Sequence, residues 1–105
     1  MPKQKAVVFD LLTALLDSWS VWNAAAGSET DGRRWRVRYL ELTYGCGAYQ
    51  PYEALVADAS RDVGLSSAVP AELRKRWNTL QPWPEAPDIL RRLKARGLLL
   101  GVATN

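Results

Sequence analysis

Two short apolar runs, one near each end of the chain, constrain its fold more than any other feature. They are residues 6–9 (AVVF) and 98–103 (LLLGVA). Continuous apolar runs of this length, rich in branched side chains, predict strands that are buried on both faces, as in parallel sheets. Parallel strands require a long crossover connection, so the residues between the runs can form a whole subdomain.

The residues between the two runs have helical features and no strand-like alternation. Pro51 is expected at the first helical position of one helix, where its missing N–H has no helical partner. Close to the second run, apolar residues recur at helical spacing after Pro84, and Gly97 provides a stop. The sequence therefore predicts five helices, over about 18–26, 32–44, 51–64 and 70–80, and between Pro84 and Gly97.

This order of elements predicts an α/β protein, in which an α-helical cap is inserted after the first strand of a Rossmann-like parallel sheet core. Residues 1–17 would hold the first core strand and the loop after it, residues 18–82 the cap, and residues 83–105 the core helix and the second strand. Two strands make an incomplete core with an unpaired, apolar edge. As an isolated polypeptide, such a chain is expected to be poorly stable.

Composition excludes several classes of site. The 105 residues contain no histidine, which excludes within them a Ser-His or Cys-His nucleophile and a histidine-bound zinc. Cys46 is the only cysteine, so no internal disulfide can form, and a reducing, cytoplasmic setting is expected. A formal charge of +3 is too small to indicate nucleic acid without a patch that concentrates it.

Membrane and nucleic-acid partners are disfavoured by particular segments. Lysines and an apolar stretch at residues 3–16 loosely imitate a signal peptide, but Asp10 lies within that stretch and a charge there opposes insertion. No segment approaches the ~20 apolar residues that span a bilayer. The arginine-rich segment 33–38 could contact nucleic acid, although a solvated helix face with one functional arginine is the preferred interpretation. We therefore expect neither kind of partner.

Asp10 is the candidate for chemistry. It follows the first strand directly, so its carboxylate would lie at the carboxyl edge of the sheet, where α/β proteins bind ligands. Backbone N–H groups of the following turn could hold an anionic group beside it. That layout suits covalent catalysis by an aspartate. From these residues alone, the alternative is that Asp10 only caps a turn, since aspartate is common in turns.

Both ends of the chain resemble motifs of the haloacid dehalogenase superfamily. Residues 7–17 (VVFDLLTALLD) resemble its motif I, a strand followed by Asp-x-x-Gly-Thr-Leu-x-Asp, and residues 102–105 (VATN) resemble its motif II, a strand that ends in Ser or Thr. The helical insert matches the superfamily's inserted cap, so the resemblance covers nearly the whole chain. The 2-haloacid dehalogenase subgroup is the most similar, through residues 35–41 (WRVRYLE), 84–87 (PEAP) and 96–98 (RGL).

The resemblance implies a hydrolase that cleaves the carbon–halogen bond of a short 2-haloacid through an aspartyl ester, without a cofactor. It also admits a homodimer. Asp10 would be the nucleophile, and Arg36 would reach from the cap to the leaving halide or the substrate carboxylate. The same resemblance assigns binding of the carboxylate to the N–H groups of Leu11 and Leu12 and to the side chains of Thr104 and Asn105.

Position 12 helps to distinguish the phosphatases of the superfamily from its dehalogenases. Phosphatases of the superfamily carry a second aspartate two residues after the nucleophile, where it protonates a leaving oxygen. Leu12 cannot do this, and a departing halide needs no proton, so the sequence favours dehalogenation and weakens the case for magnesium. A phosphatase-like or phosphonate-cleaving member of the superfamily, which would use magnesium, is the alternative enzyme.

The chain departs from the superfamily pattern in two ways. Thr13-Ala14 stand where Gly-Thr is usual, which restricts the turn after Asp10 and moves the hydroxyl by one position. The lysine of motif III and the acidic residues of motif IV have no counterpart, so we expect the 105-residue chain to be inactive alone. From a different class, the chain could be a non-catalytic fragment or a binding module that pairs with another polypeptide.

Overall fold

The computed structural model describes residues 5–104. A strand, a π-helical turn, four helices, a 3-10 turn, a fifth helix and a second strand follow one another along the chain. The predicted α/β class, with helices inserted between two strands of an incomplete parallel sheet, is confirmed. The elements are β1 (Ala6–Asp10), the π-helical turn (Leu11–Leu15), α1 (Ser18–Ala26), α2 (Glu29–Gly45), α3 (Tyr52–Asp62), α4 (Val69–Arg76), the 3-10 turn (Trp77–Thr79), α5 (Ala86–Ala95) and β2 (Leu99–Ala103).

β1 and β2 pair in parallel, with Ala6 opposite Leu99 and Asp10 opposite Ala103. The expectation that both strands are buried on both faces is wrong for this chain, since Val8 and Leu99 are 65 % and 72 % exposed. The physical reason is that the sheet has two strands in the described part of the chain, which leaves its outer edges and much of its surface to solvent. The predicted unpaired apolar edge is therefore present.

The chain divides into two compact units. The sheet unit joins the residues up to Ser18 with those from Leu80 onward, and the helical unit spans Trp19–Thr79. The cap expected from the sequence, residues 18–82, is a slightly longer segment than the helical unit. Within residues 5–104, no helix combines the length and the apolar content that a membrane span requires.

Two tryptophans form the centre of the helical unit. Trp22 on α1 and Trp35 on α2 are 2 % and 0 % exposed, and their ring centroids lie 4.5 Å apart. The indole Nε1 of Trp35 donates a hydrogen bond to the carbonyl of Val56 on α3 at 3.0 Å, so this buried polar group is satisfied. Further ring contacts extend the cluster into an aromatic row, through Trp22–Tyr39, Tyr39–Tyr52 and Tyr52–Trp77 at 5.4, 5.5 and 6.1 Å.

Local capping explains where two of the helices begin. α2 begins at Glu29, earlier than predicted, because the hydroxyl of Ser28 accepts a hydrogen bond from the N–H of Asp31 at 3.1 Å. α3 begins at Tyr52, and Pro51 precedes it with an extended ψ of 134°. The prediction that Pro51 occupies the first helical position is therefore wrong by one residue.

Candidate active site

Asp10 and Thr104 lie at the same end of the parallel sheet. β1 ends at Asp10, which pairs with Ala103, and Thr104 is the next residue along the chain. Parallel strands bring their carboxyl ends to one edge, which is the edge where α/β proteins place ligands. Both side chains are exposed there. Asn105, the other side chain expected at this edge, lies outside the described residues.

Thr13 holds the carboxylate of Asp10. Oδ2 of Asp10 accepts hydrogen bonds from the backbone N–H of Thr13 at 3.1 Å and from its hydroxyl Oγ1 at 2.6 Å. Asp10 therefore caps the π-helical turn, as the alternative interpretation of this residue predicted. Capping and nucleophilic attack are compatible, because the same two contacts also fix the direction of the carboxylate.

These hydrogen bonds keep the pKa of Asp10 below its ordinary value of 3.8. The Thr13 hydroxyl has the largest effect and the Thr13 N–H the next, while burial acts in the opposite direction. Donors to a carboxylate stabilise its charged form relative to its protonated form. Asp10 is therefore ionised at neutral pH, which is the state that an attacking carboxylate requires.

Leu11 and Leu12 form the first positions of the π-helical turn. The first N–H groups of a helical segment have no carbonyl partner within that segment, so they are suited to an anion. The side chain of Leu12 is apolar and half-buried. The position two residues after Asp10 therefore supplies no acid.

The segment just before α5 supports the turn that carries Thr13. The indole Nε1 of Trp83 donates to the carbonyl of Thr13 at 2.7 Å, and the backbone N–H of Trp83 donates to the carbonyl of Leu15 at 2.9 Å. The N–H of Asp17 donates to the carbonyl of Gln81 at 2.8 Å. Sequence reasoning missed this role of Trp83, because no local pattern indicates which distant carbonyl an indole reaches.

Arg36 lies on α2 and is 7 % exposed. Its guanidinium carbon lies 4.2 Å from the centroid of the Trp19 ring and 5.6 Å from that of the Trp22 ring. A cation above an indole is attracted by the negative face of the ring. The helical unit therefore contains a buried, oriented cation at the position that the resemblance assigns to substrate binding.

Two of the neighbouring arginines, Arg34 and Arg38, have partners of their own. Arg34 pairs with Asp31 at 3.3 Å, and Arg38 pairs with Asp62 at 2.9 Å. These ion pairs are largely exposed, so each contributes little to stability. They leave Arg36 as the buried member of the arginine-rich segment. The expectation that this segment carries one functional arginine stays a prediction.

The predicted site residues fall in both units. Asp10, Leu11, Leu12 and Thr104 belong to the sheet unit, whereas Arg36 belongs to the helical unit. Their roles in catalysis and binding stay predictions. Within residues 5–104, no group of three or more His, Cys, Asp or Glu side chains is placed to hold a metal ion.

Curated proteins related to the chain match it over all or nearly all of its length. An (S)-2-haloacid dehalogenase of Pseudomonas putida is 31 % identical over 100 % of this chain and 52 % of its own length. The (S)-2-haloacid dehalogenase H-109 of Pseudomonas putida is 32 % identical over 96 % of this chain and 51 % of its own length. The chain thus spans about half the length of the curated relatives it matches. No protein-family model matches it.

A solved structure supports the same relationship. The crystal structure of a dehalogenase superposes on this chain with a TM-score of 0.77 at 25 % sequence identity. The superposition covers 99 % of this chain and 52 % of that one. The match in fold therefore extends over both strands and all the helices between them.

Proposed function

We propose that this chain, which is homologous along its whole length to 2-haloacid dehalogenases, supplies the nucleophile and a substrate-binding arginine to an enzyme of that kind. One observation carries the proposal: an ionised Asp10 carboxylate, held by Thr13, stands at the carboxyl end of β1. The substrate class, a short 2-haloacid, follows from the names of the curated relatives.

In the proposed reaction, an oxygen of Asp10 attacks the carbon that bears the halogen. A carbon–oxygen bond forms, the carbon–halogen bond breaks, and its electron pair leaves with the halide. Water then attacks the aspartyl ester, which releases a 2-hydroxy acid and a proton and restores the carboxylate. The first step needs an ionised nucleophile in a fixed direction, and the two contacts with Thr13 provide both properties.

The substrate carboxylate and the departing halide are both anions, so the site needs a cation and oriented dipoles to stabilise them. We assign Arg36 to the halide or to the carboxylate. We assign Thr104, Asn105 and the N–H groups of Leu11 and Leu12 to the carboxylate, with Asn105 resting on the resemblance alone. Leu12 agrees with this chemistry because a halide leaves without a proton.

The proposal also concerns the setting of the enzyme. We place it in a reducing compartment such as the cytoplasm, because the single Cys46 is a free thiol that donates to the carbonyl of Thr43 at 3.1 Å. Its required partner is a small-molecule substrate, and neither a membrane nor nucleic acid takes part. A homodimer is a further expectation, which sedimentation of the complete protein would check.

Halide release from (S)-2-chloropropionate tests the proposal. It is measured for the 105-residue chain and for the complete protein that contains it. We expect the complete protein to release halide and the 105-residue chain alone to release none. The Asp10→Asn variant of the complete protein should also release none, because a neutral amide is a poor nucleophile. The matched control is Asp88→Asn, the same substitution at an exposed residue of α5 that pairs with Arg92, and it should leave release unchanged.

Two outcomes would count against the proposal. Undiminished release by Asp10→Asn would reject the aspartyl-ester mechanism. Failure of the complete protein to release halide, together with magnesium-dependent hydrolysis of a phosphate ester, would support the phosphatase alternative instead.

A further inference from the structure

We infer that Trp19 is a positioning residue, which fixes the direction of the Arg36 guanidinium; this inference rests on the proposed function of Arg36. The guanidinium carbon is closer to the Trp19 ring, at 4.2 Å from its centroid, than to any other ring that it faces in the described part of the chain. Trp19 lies on α1 and Arg36 on α2, so the contact joins two helices.

The contact with Trp19 limits the orientations that the guanidinium can adopt. A guanidinium is planar, and its donors lie in that plane at its edge. The Trp19 ring occupies one side of the guanidinium carbon, with 4.2 Å between that carbon and the ring centroid. A guanidinium whose movement is restricted in this way can present its fork of donors to a carboxylate or a halide. Without the ring, a long flexible side chain would lose rotamer entropy on adopting the same orientation.

The surroundings of Arg36 make its charge effective. The residue is 7 % exposed, and a charge in a poorly solvated site attracts an anion more strongly than one in water. Trp22, which supports the guanidinium at 5.6 Å, is itself fixed between Trp35 and Tyr39 of the aromatic row. Burial raises the pKa of Tyr52 to about 12, so this ring of the row is neutral at physiological pH and adds no negative charge near the cation.

Steady-state kinetics of variants in the complete protein test the inference. A cation–π contact of this kind stabilises by about 0.5–2 kcal/mol, so Trp19→Leu should lower kcat/KM by about 2–30-fold. The loss should fall on the same parameter, kcat or KM, that Arg36→Ala changes. Trp19→Phe keeps an aromatic face and should give an intermediate loss. The matched control is Trp77→Leu, which removes the same ring from the other end of the aromatic row and should change kcat/KM less than twofold.

A second measurement reports the geometry without turnover. Protons above an aromatic face are shifted upfield in NMR spectra, so the side-chain resonances of Arg36 should be upfield of their usual positions in the complete protein. Trp19→Leu should return them toward those positions, whereas Trp77→Leu should not. The urea midpoints of Trp19→Leu and Trp77→Leu are compared as a control. They show whether two variants that lose the same amount of stability differ in their effect on the Arg36 resonances.

The outcomes separate this inference from the proposed function. If Arg36→Ala is strongly impaired while Trp19→Leu behaves like Trp77→Leu in kinetics and in the Arg36 resonances, the role of Trp19 is overturned and the proposed function stands. If Arg36→Ala has unchanged kinetics, the proposed role of Arg36 in substrate binding is overturned, and the positioning role of Trp19 is overturned as well. Should Trp19→Leu not fold, the Arg36 resonances of the wild type decide, because resonances at their usual positions would contradict a guanidinium held over the Trp19 ring.

Discussion

At the scale of single residues, the Thr13 hydroxyl is the group that lowers the pKa of Asp10 most. It reaches the carboxylate at 2.6 Å although it stands one position earlier than the threonine of the usual motif. The shift is accommodated because the residues after Asp10 form a π-helical turn, closed by a hydrogen bond from the N–H of Leu16 to the carbonyl of Leu11 at 3.0 Å. Single π turns of this kind often occur at functional sites.

Removal of the Thr13 hydroxyl should raise the pKa of Asp10. We expect the carboxyl of the Thr13→Val variant to titrate closer to its ordinary value of 3.8, yet still below it, because the Thr13 N–H continues to donate. A carbon-13 NMR titration of the Asp10 carboxyl measures this midpoint. Thr13→Ser retains a hydroxyl and is the control. Equal midpoints in wild type and Thr13→Val would show that the hydroxyl has no such effect.

The same pKa shift has a consequence for stability. A carboxyl whose pKa is lowered by folding stabilises the folded state above its unfolded-state pKa, and this contribution is lost as the pH falls through the lower folded-state value. The difference in unfolding free energy between wild type and Thr13→Val should therefore be present at neutral pH. It should shrink as the pH falls below 3.8.

At the scale of elements, the packing of α1 against α2 depends on one glycine. A Cβ added at Gly32 would lie 2.1 Å from Oδ1 and 2.6 Å from Cα of Asn23, distances that no real side chain tolerates. Oδ1 of Asn23 is buried and has no hydrogen-bond partner among the described atoms. At this close approach of the helices, Oδ1 of Asn23 is left without a hydrogen bond from any described atom. The same approach allows Trp22 and Trp35 to be in contact in the core.

Gly32→Ala should therefore destabilise the protein, although alanine normally favours helices. Overpacking at this contact is expected to cost about 1–3 kcal/mol of unfolding free energy, or more because backbone atoms are involved. Gly45→Ala, in the same helix but with no atom near its added Cβ, is the control and should change stability by about 1 kcal/mol or less, in the stabilising direction. Urea unfolding compares the two, and equal midpoints would contradict the close contact.

The sequence predicted elements better than contacts between them. The helix predicted over about residues 18–26 coincides with α1, and the apolar runs located both strands. The resemblance to 2-haloacid dehalogenases is confirmed by the curated relatives and by the solved structure. The stacking of Arg36 on Trp19 could not be predicted, because it joins two helices whose relative rotation no periodicity fixes. The exposure of the strands also differs from the prediction, because burial depends on what covers a strand as well as on its composition.

At the scale of the whole molecule, the sheet unit presents an apolar surface that a stable protein normally covers. Val8, Leu99 and Val102 are 65 %, 72 % and 52 % exposed, whereas the helical unit has fully buried tryptophans. The curated relatives are about twice as long as the residues that match this chain. We expect the additional length in a complete protein to cover these strands, and the effect of a mutation there to depend on the length of the polypeptide.

Val8→Ser tests this expectation. In the 105-residue chain the substitution should change the unfolding free energy by about 0.5 kcal/mol or less, as for most surface positions. In the complete protein it should cost about 1.5–3 kcal/mol, the loss expected for a buried apolar side chain. Thermal unfolding of both forms provides the comparison. Val37→Ser, at an exposed position of α2, should have the same small effect in each form, and equal effects of Val8→Ser would contradict the expectation.

The pairing of Ala6 with Leu99 also governs the order of folding. The helical unit is continuous along the chain, so it can assemble as soon as its residues leave the ribosome, whereas β1 is made before that unit and has no partner until β2 is made after it. Closing so long a connection carries a large entropic cost, which slows the formation of non-local sheets. During this interval the β1 segment is exposed as an unpaired apolar strand, so the step that positions Asp10 should follow the folding of the helical unit, be slower than it and be prone to aggregation.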